Sequence, residues 1–401
     1  MSLIASVVNA ALVVGSALLF VPALVYSVEC LLATLKRRVP QCALSKERPG
    51  IAVVIPAHNE EGTVGETVRQ IATQLAGNDR LVVVADNCTD RTAQEAGEAG
   101  AEVWIRHDGD HRGKGYAISF AVEQLSANPP DVLVLIDADC QLDAGLVDTI
   151  SRAAAENNRP VQAQYVFVAP PDAGRLSQIS AFACLVRNYV RPLGLKHLGM
   201  PCHLTGSGMA FVWQQILSAP SQADNIVEDL ALGLEMAIAG SEPLMCAEAI
   251  IRSDLPGTGR AAKTQRQRWE HGQMATFAAF GPRLLRQAFS QKRLSLMSLA
   301  LDLAVPPLAL LVALTLLVTL INALFGFLAG DFAALGISTA SLLLITVATI
   351  GAWARFGRST VSGFVLLSTP FYILWKLPLY LAALVGKTQK EWVRTDRGAG
   401  K

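Results

Sequence analysis

The stretch VLVLIDADC, residues 132–140, runs five apolar residues straight into two aspartates one residue apart, Asp137 and Asp139. An apolar run with no polar alternation reads as a strand covered on both faces. Carboxylates that close repel each other and cost free energy to desolvate, so a positive group between them would offset the cost. Two upstream runs have the same character, IAVVIPA at 51–57 and RLVVVAD at 80–86. Helix-like segments separate the three. NEEGTVGETVRQIATQLAG has acids at its start and Gly77 at its end, and TDRTAQEAGEAG opens on capping residues and stops at Gly100. The βαβαβ alternation predicts an α/β fold with an open, Rossmann-like, mostly parallel sheet. Ligands bind beyond the carboxyl ends of such strands. Three of those ends carry Asn59 with Glu60, Asp86, and Asp137 with Asp139. The acids are therefore expected along one rim.

The 401 residues leave room for roughly two domains. Apolar residues make up 52% of the chain and charged ones 17%, a balance too apolar for an ordinary soluble enzyme, which points to membrane segments. A formal charge of +1 gives no electrostatic case for nucleic acid. The seven cysteines are scattered with no C-x-x-C pair, which offers no zinc motif and fits a reducing, cytosolic compartment.

Hard oxygen ligands at a strand end suit Mg2+ or Mn2+, ions that keep several waters and also bind substrate phosphates. A solvated turn would use the same D-x-D tripeptide. GDHRGKG (109–115) has three residues between its first two glycines and Gly115 after Lys114. That spacing excludes a P-loop NTPase but leaves Lys114 able to reach a phosphate. IVEDLALGLEMA (226–237) sets Glu228 and Asp229 ahead of an apolar periodic run, either as helix N-terminal acids or as a general base. Gly206, Ser207 and Gly208 in LTGSGMAF (204–211) let a ligand or another backbone come close, and they are the acceptor-side candidates. TQRQRWEHG (264–272) reads as a phosphate- and ring-binding segment or as a basic anchor before the membrane.

In this order, VVIPAHNEE, ADNCTDRT, RGKGYAI, IDADC, VED and QRQRW resemble the family 2 membrane glycosyltransferases of the GT-A fold, relatives of cellulose, chitin, hyaluronan and poly-N-acetylglucosamine synthases. The resemblance covers residues 51–275 by motif, and KEWVRTDR (390–397) is similar to the tail of this group. It implies transfer from a nucleotide sugar, taken as a UDP-sugar, to a lipid-linked or polysaccharide acceptor, with Mg2+ or Mn2+ as cofactor. It further implies that Pro56, Ala57 and Glu60 line the uracil and ribose pocket and that Asp86 binds the uracil. Lys114 would lie near the nucleotide, Asp137 would contact it, and Asp139 would bind the metal. Asp229, beside Glu228, would be the base, and Gln265, Arg266, Arg268 and Trp269 would hold the diphosphate and the acceptor end. The synthases usually show Thr-Glu-Asp where this chain has Val227-Glu228-Asp229, which keeps both acids and loses one hydroxyl. The chemistry is coherent. A nucleoside diphosphate leaves as a polyanion and needs charge neutralisation rather than a proton. One base then suffices, and attack from the opposite face inverts the sugar. A glycoside hydrolase would need two carboxylates and no metal, leaving Lys114 and QRQRW without a task.

Residues 3–28 carry no charge and are long enough to cross ~30 Å of hydrocarbon. Lys36, Arg37 and Arg38 follow, which places the next domain in the cytosol. Further spans are expected at 308–329 and 332–354. The last apolar stretch, 363–386, contains Pro370, Lys376 and Pro378 and is followed by Lys387, Lys390, Arg394 and Arg397. It is expected to be broken, interfacial or re-entrant, with a cytosolic C-terminus. PRLLRQAFSQKRL (282–294) reads either as a basic amphipathic helix on the inner leaflet or as a linker. The expected organisation is 1–38 as a transmembrane helix with a basic flank, 45–280 as the cytosolic catalytic domain, and 281–401 as interface helix, transmembrane helices and basic tail. The location implied is the inner or plasma membrane. Three spans are few for a wide polysaccharide channel, so addition of one or a few sugars to a lipid-linked acceptor is expected; a processive synthase would need an oligomer or a partner pore. The rival from another class is a transport protein with a nucleotide-sensing domain, favoured by Asp302 and Lys376 in apolar surroundings.

Overall fold

The computed structural model describes residues 3–35, 38, 41–170, 174–220, 225, 227–255, 260–373 and 376, without the side chains of 260–268. A long helix, α1 (Leu3–Leu35), precedes β1 (Ile51–Ala57), α2 (Val64–Ala72), β2 (Arg80–Asp86), α3 (Thr92–Glu98), β3 (Glu102–Arg106), α4 (Lys114–Leu125) and β4 (Val132–Leu135). β1 pairs in parallel with β2 and β4, and β2 with β3. Both faces of β1 are covered, as its unbroken apolar run requires. Ile51, Val53 and Ile55 pack with Val64, Val68 and Ile71 of α2, while Ala52 and Val54 pack with Ala117, Ala121 and Leu125 of α4. Each fully buried aliphatic side chain is worth ~1.5–3 kcal/mol, so the strand's position is strongly specified.

The chain continues through β5 (Cys140–Leu142), α5 (Leu146–Asn157), β6 (Val161–Val168), α6 (Arg175–Leu185), α7 (Arg191–His197), β7 (Met209–Val212), α8 (Trp213–Ser218), α9 (Glu228–Ile238) and β8 (Leu244–Asp254). The eight strands lie in the order β3-β2-β1-β4-β7-β6-β8-β5. β6 pairs in parallel with β8, whereas β7 runs antiparallel to β4 and β6, and β5 antiparallel to β8. The expected Rossmann-like, mostly parallel core is present, and antiparallel strands extend it on one side.

The remaining helices are α10 (Arg260–Gln291), α11 (Leu294–Leu303), α12 (Leu308–Ala329), α13 (Ala333–Ala352) and α14 (Gly363–Leu366). Leu3–Leu35, Leu308–Ala329 and Ala333–Gly357 are long and apolar enough to cross a membrane. At 1.5 Å per residue α12 is about 33 Å long, a match for the hydrocarbon core. α1 continues past residue 28, and its extra turns meet α7. A Cβ on Gly194 would stand 2.0 Å from the Glu29 carbonyl oxygen, so only glycine permits this crossing. The 280/281 boundary falls inside α10. Arg283 near its end bonds Glu235 of α9 (Nη2 to Oε2, 2.9 Å), and Arg293 donates to the Ala237 carbonyl at 2.8 Å. These basic residues fasten the helix to α9. Within 363–386 the described part is broken, with a turn at Leu367–Ser368 after α14. Residues 377–401, with the basic tail and KEWVRTDR, lie outside the described residues.

Candidate active site

Because β1, β2 and β4 are parallel and in register, their carboxyl ends open on one edge of the sheet. A cavity of about 240 Å³ lies there. Its wall includes Pro56, Ala57 and Glu60 from the end of β1, Asp86 from β2, Lys114 from the start of α4, and Asp137 and Asp139 from the loop after β4. Gly206, Glu228 and Asp229 from the start of α9, and Trp269 of α10 complete the set.

Lys114 is the positive group the paired aspartates require. Its Nζ lies 2.5 Å from Asp137 Oδ1 and donates to the Gly206 carbonyl. An ammonium at a helix N-terminus opposes the macrodipole, and the surrounding carboxylates offset that cost. Burial alone would lower its pKa, but Asp137, Glu228 and Asp229 outweigh burial and hold it above the usual lysine value. The Ser253 hydroxyl donates to Asp139 Oδ2 at 2.8 Å and fixes that carboxylate's rotation. Asp86 Oδ1 accepts from Arg106 Nη1 at 2.7 Å and from Asn87 Nδ2 at 3.0 Å. Gly206 has φ of 104°, and a Cβ there would stand 3.1 Å from Asp229 Oδ2. A glycine is needed both for the turn and for Asp229 to lie against it. Burial, then the neighbouring Asp229, pushes the Glu228 carboxyl from 4.5 to about 7, against the opposing pull of Lys114.

Two acceptor-side candidates lie beneath the floor instead of on the wall. Ser207 is fully buried, and its hydroxyl accepts the Asp137 N–H at 2.9 Å. A Cβ on Gly208 would stand 2.9 Å from that of Ala163, so the glycine serves strand packing. Gln265, Arg266 and Arg268 ride on α10 just before Trp269, with side chains outside the described residues. The wall also contains residues the sequence did not reveal, among them Tyr165, Phe167, Arg187, Asn188 and Thr205. Phe167 stacks obliquely between Tyr165 and Trp269, with ring centroids at 4.5 and 4.9 Å. Which side of β6 faces the pocket depends on its pairing with β8, which no local pattern encodes. Arg187 did carry a signal, as a lone cation inside the apolar run ISAFACLVRNYV.

Carboxylate oxygens of Asp137 and Asp139 beside the acids of α9 form a hard donor set that fits Mg2+ or Mn2+, with too few ligands for an all-protein cage. Elsewhere, Cys42 and Cys246 meet Glu248 with ligand atoms within 4.8 Å of one another, a proximity the scattered cysteine spacing hid. Lys196 Nζ lies 3.4 Å from Cys42 Sγ and 3.5 Å from Glu248, so an ammonium already takes the cation's place.

Residues 49–272 match the family model described as glycosyltransferase like family 2, which covers more than half of the chain. The chain belongs to this family. It is similar to a glucomannan 4-beta-mannosyltransferase of Cyamopsis tetragonoloba, 25% identical over 246 residues, covering 57% of this chain and 46% of that one. It is also similar to a low-salt glycan biosynthesis hexosyltransferase of Haloferax volcanii, 39% identical over 97 residues, covering 24% of this chain and 22% of that one. The chain thus spans less than half the length of these relatives. A solved mannosyltransferase of Pyrobaculum calidifontis, in complex with GDP-Man and Mn2+, shares the fold at TM-score 0.53 and 16% identity over 93% of this chain and 99% of that one.

Proposed function

We propose that this chain is a membrane-set, metal-dependent, inverting glycosyltransferase of the cell's inner or plasma membrane. It moves a sugar from a nucleotide donor, read as a UDP-sugar, to a lipid-linked or polysaccharide acceptor on the cytosolic side. One observation carries the reading: carboxylates from three adjacent strand ends, the acids of α9 and Lys114 all line a single cavity. The names of the similar proteins, which transfer mannosyl or hexosyl groups, support it. The archaeal neighbour holds GDP-Man, and a carboxylate at Asp86 can accept a ring N–H from uracil or guanine alike.

In this reading Asp139 would hold the ion and Asp137, paired with Lys114, would contact the nucleotide. When bound there, Mg2+ or Mn2+ would supply charge neutralisation for the diphosphate leaving group. Lys114 keeps Asp137 in place and adds positive charge at the nucleotide. The acceptor oxygen attacks the anomeric carbon while the bond to the diphosphate breaks on the opposite face. Asp229 takes the hydroxyl proton, and the Phe167–Trp269 wall offers an apolar face to a sugar ring. Asp302 and Lys376, which favoured a transport protein, sit in ion pairs with Arg191 and Glu270 respectively. Their charge is thus accounted for structurally. Incubation of the full chain with labelled UDP- and GDP-sugars, with NMR of the product's anomeric centre, tests the proposal. Inversion is expected. Retention, or no transfer from any donor, would refute it.

A further inference from the structure

A second cavity, of about 150 Å³, continues from the catalytic one toward the apolar helices and shares Cys184, Arg187 and Trp269 with it. Its character is different. Phe182, Leu308, Val312 and Ile373 set an almost wholly apolar wall. Its polar groups are largely turned onto one another: Tyr26 Oη with Thr349 Oγ1 at 2.9 Å, Gln273 Nε2 to the Val305 carbonyl at 3.1 Å, and Lys376 with Glu270. A sugar chain passing here would lose its hydroxyl hydrogen bonds to water and find few replacements. Hydrocarbon fits without that cost, and a cavity of this volume takes about one benzene-sized group, so one chain and not two.

The junction between the cavities is charged. Arg187 sits in a π-helical turn, Val186–Val190, between α6 and α7, a distortion often found at functional sites. It lines both cavities and has no ion pair or hydrogen bond among the described residues. A half-buried, unpaired guanidinium between a sugar-transfer pocket and an apolar cavity calls for an anion at that point, and its planar fork suits phosphate.

We propose that the acceptor is a single-chain lipid phosphate bearing a sugar, with the sugar hydroxyl at Asp229, the phosphate at Arg187 and the hydrocarbon chain in the apolar cavity. This rests on the glycosyltransferase reading and names its acceptor class. In the transfer the acceptor O–H gives its proton to the Asp229 carboxylate, a new C–O bond forms at the anomeric carbon, and the nucleoside diphosphate leaves with the electrons of the old one.

The test uses the purified full-length chain in detergent and a photoactivatable isoprenyl phosphate, its matching alcohol, and phosphatidic acid as a two-chain competitor. The phosphate should label the protein at about tenfold lower concentration than the alcohol, and that preference should vanish in Arg187→Gln, the scale expected for one charge-assisted contact. Ala309→Phe, which fills the apolar cavity, should weaken both probes, with nucleoside diphosphate affinity in the same samples showing that the fold is intact. Equal labelling by phosphate and alcohol, a preference that survives Arg187→Gln, or equal competition by phosphatidic acid would overturn the proposal. Donor turnover separates the two readings. Lipid labelling without turnover of any nucleotide sugar sinks the enzyme reading and with it the acceptor role, whereas transfer to soluble sugars without labelling sinks the acceptor assignment alone.

Discussion

Asp229 and Glu228 are neighbours on the first turn of α9, where the macrodipole favours both, yet their surroundings differ. Asp229 lies against Gly206, and Glu228 is the group that burial pushes to about 7. Asp229→Asn should lower transfer by ~10²–10⁴-fold, the usual cost of a lost general base, while leaving nucleoside diphosphate affinity nearly unchanged. A parallel loss of nucleotide affinity would show that Asp229 serves the donor instead. For Glu228 the sign follows from linkage. A carboxyl whose folded pKa is raised holds its proton more tightly folded than unfolded, so it loses stability as pH rises from 4.5 through about 7. Glu228→Gln should therefore stabilise the fold by about 1–2 kcal/mol at about pH 8, a value discounted because the group keeps some exposure, and the gain should fade below about pH 4. Thermal melts at the two pH values decide the matter, and an equal shift at both would contradict it. At this scale the sequence was informative where a residue ends a strand or follows within two positions, as with Asp86 and Asp137. Ser207 and Gly208, which small size nominated for ligand contact, lie off the pocket wall, where Ser207 accepts the Asp137 N–H and Gly208 packs against Ala163.

Between elements, the joint of the catalytic half with α1 is ionic and buried. Arg191 of α7 bonds Glu29 of α1 (Nε to Oε2, 2.7 Å) and Asp302 of α11, with His203 Nε2 at 3.2 Å from Asp302 Oδ2. Removing only the cation leaves two buried carboxylates uncompensated. Arg191→Met should therefore destabilise the protein by ~3–5 kcal/mol, and adding Glu29→Leu and Asp302→Leu should recover most of the loss. Denaturant titration in detergent reads both, and a harmless single substitution would show the pairs are not structural. The parallel strands β1, β2 and β4 and the three apolar helices were legible because unbroken apolar runs have few other solutions, whereas β3, β6 and β8, which also pair in parallel, were not read. The antiparallel strands β5 and β7 were not, since three- and four-residue strands carry no period of their own. The Glu29–Arg191–Asp302 joint was also hidden, because its members are brought together only by the crossing at Gly194.

Across the whole molecule, the outward faces of α1, α12 and α13 leave large side chains such as Leu18, Leu320, Leu324 and Leu343 more than half exposed. Apolar surface on this scale belongs in hydrocarbon. The full chain should stay in the membrane pellet through high salt and alkaline carbonate and enter solution only with detergent. Release by either wash would contradict a spanning arrangement. The acidic rim stands beyond the ends of β1, β2 and β4, and in the proposed reading its chemistry depends on a cation held at Asp139 beside Asp137. The decisive measurement is release of nucleoside diphosphate from a nucleotide sugar by the purified full-length chain, followed in Mn2+ and then in EDTA. Turnover should fall at least about 100-fold in EDTA and return when Mn2+ is restored, with Asp139→Asn inactive in both. Undiminished turnover in EDTA, or full activity in Asp139→Asn, would show that this rim does not work through a metal.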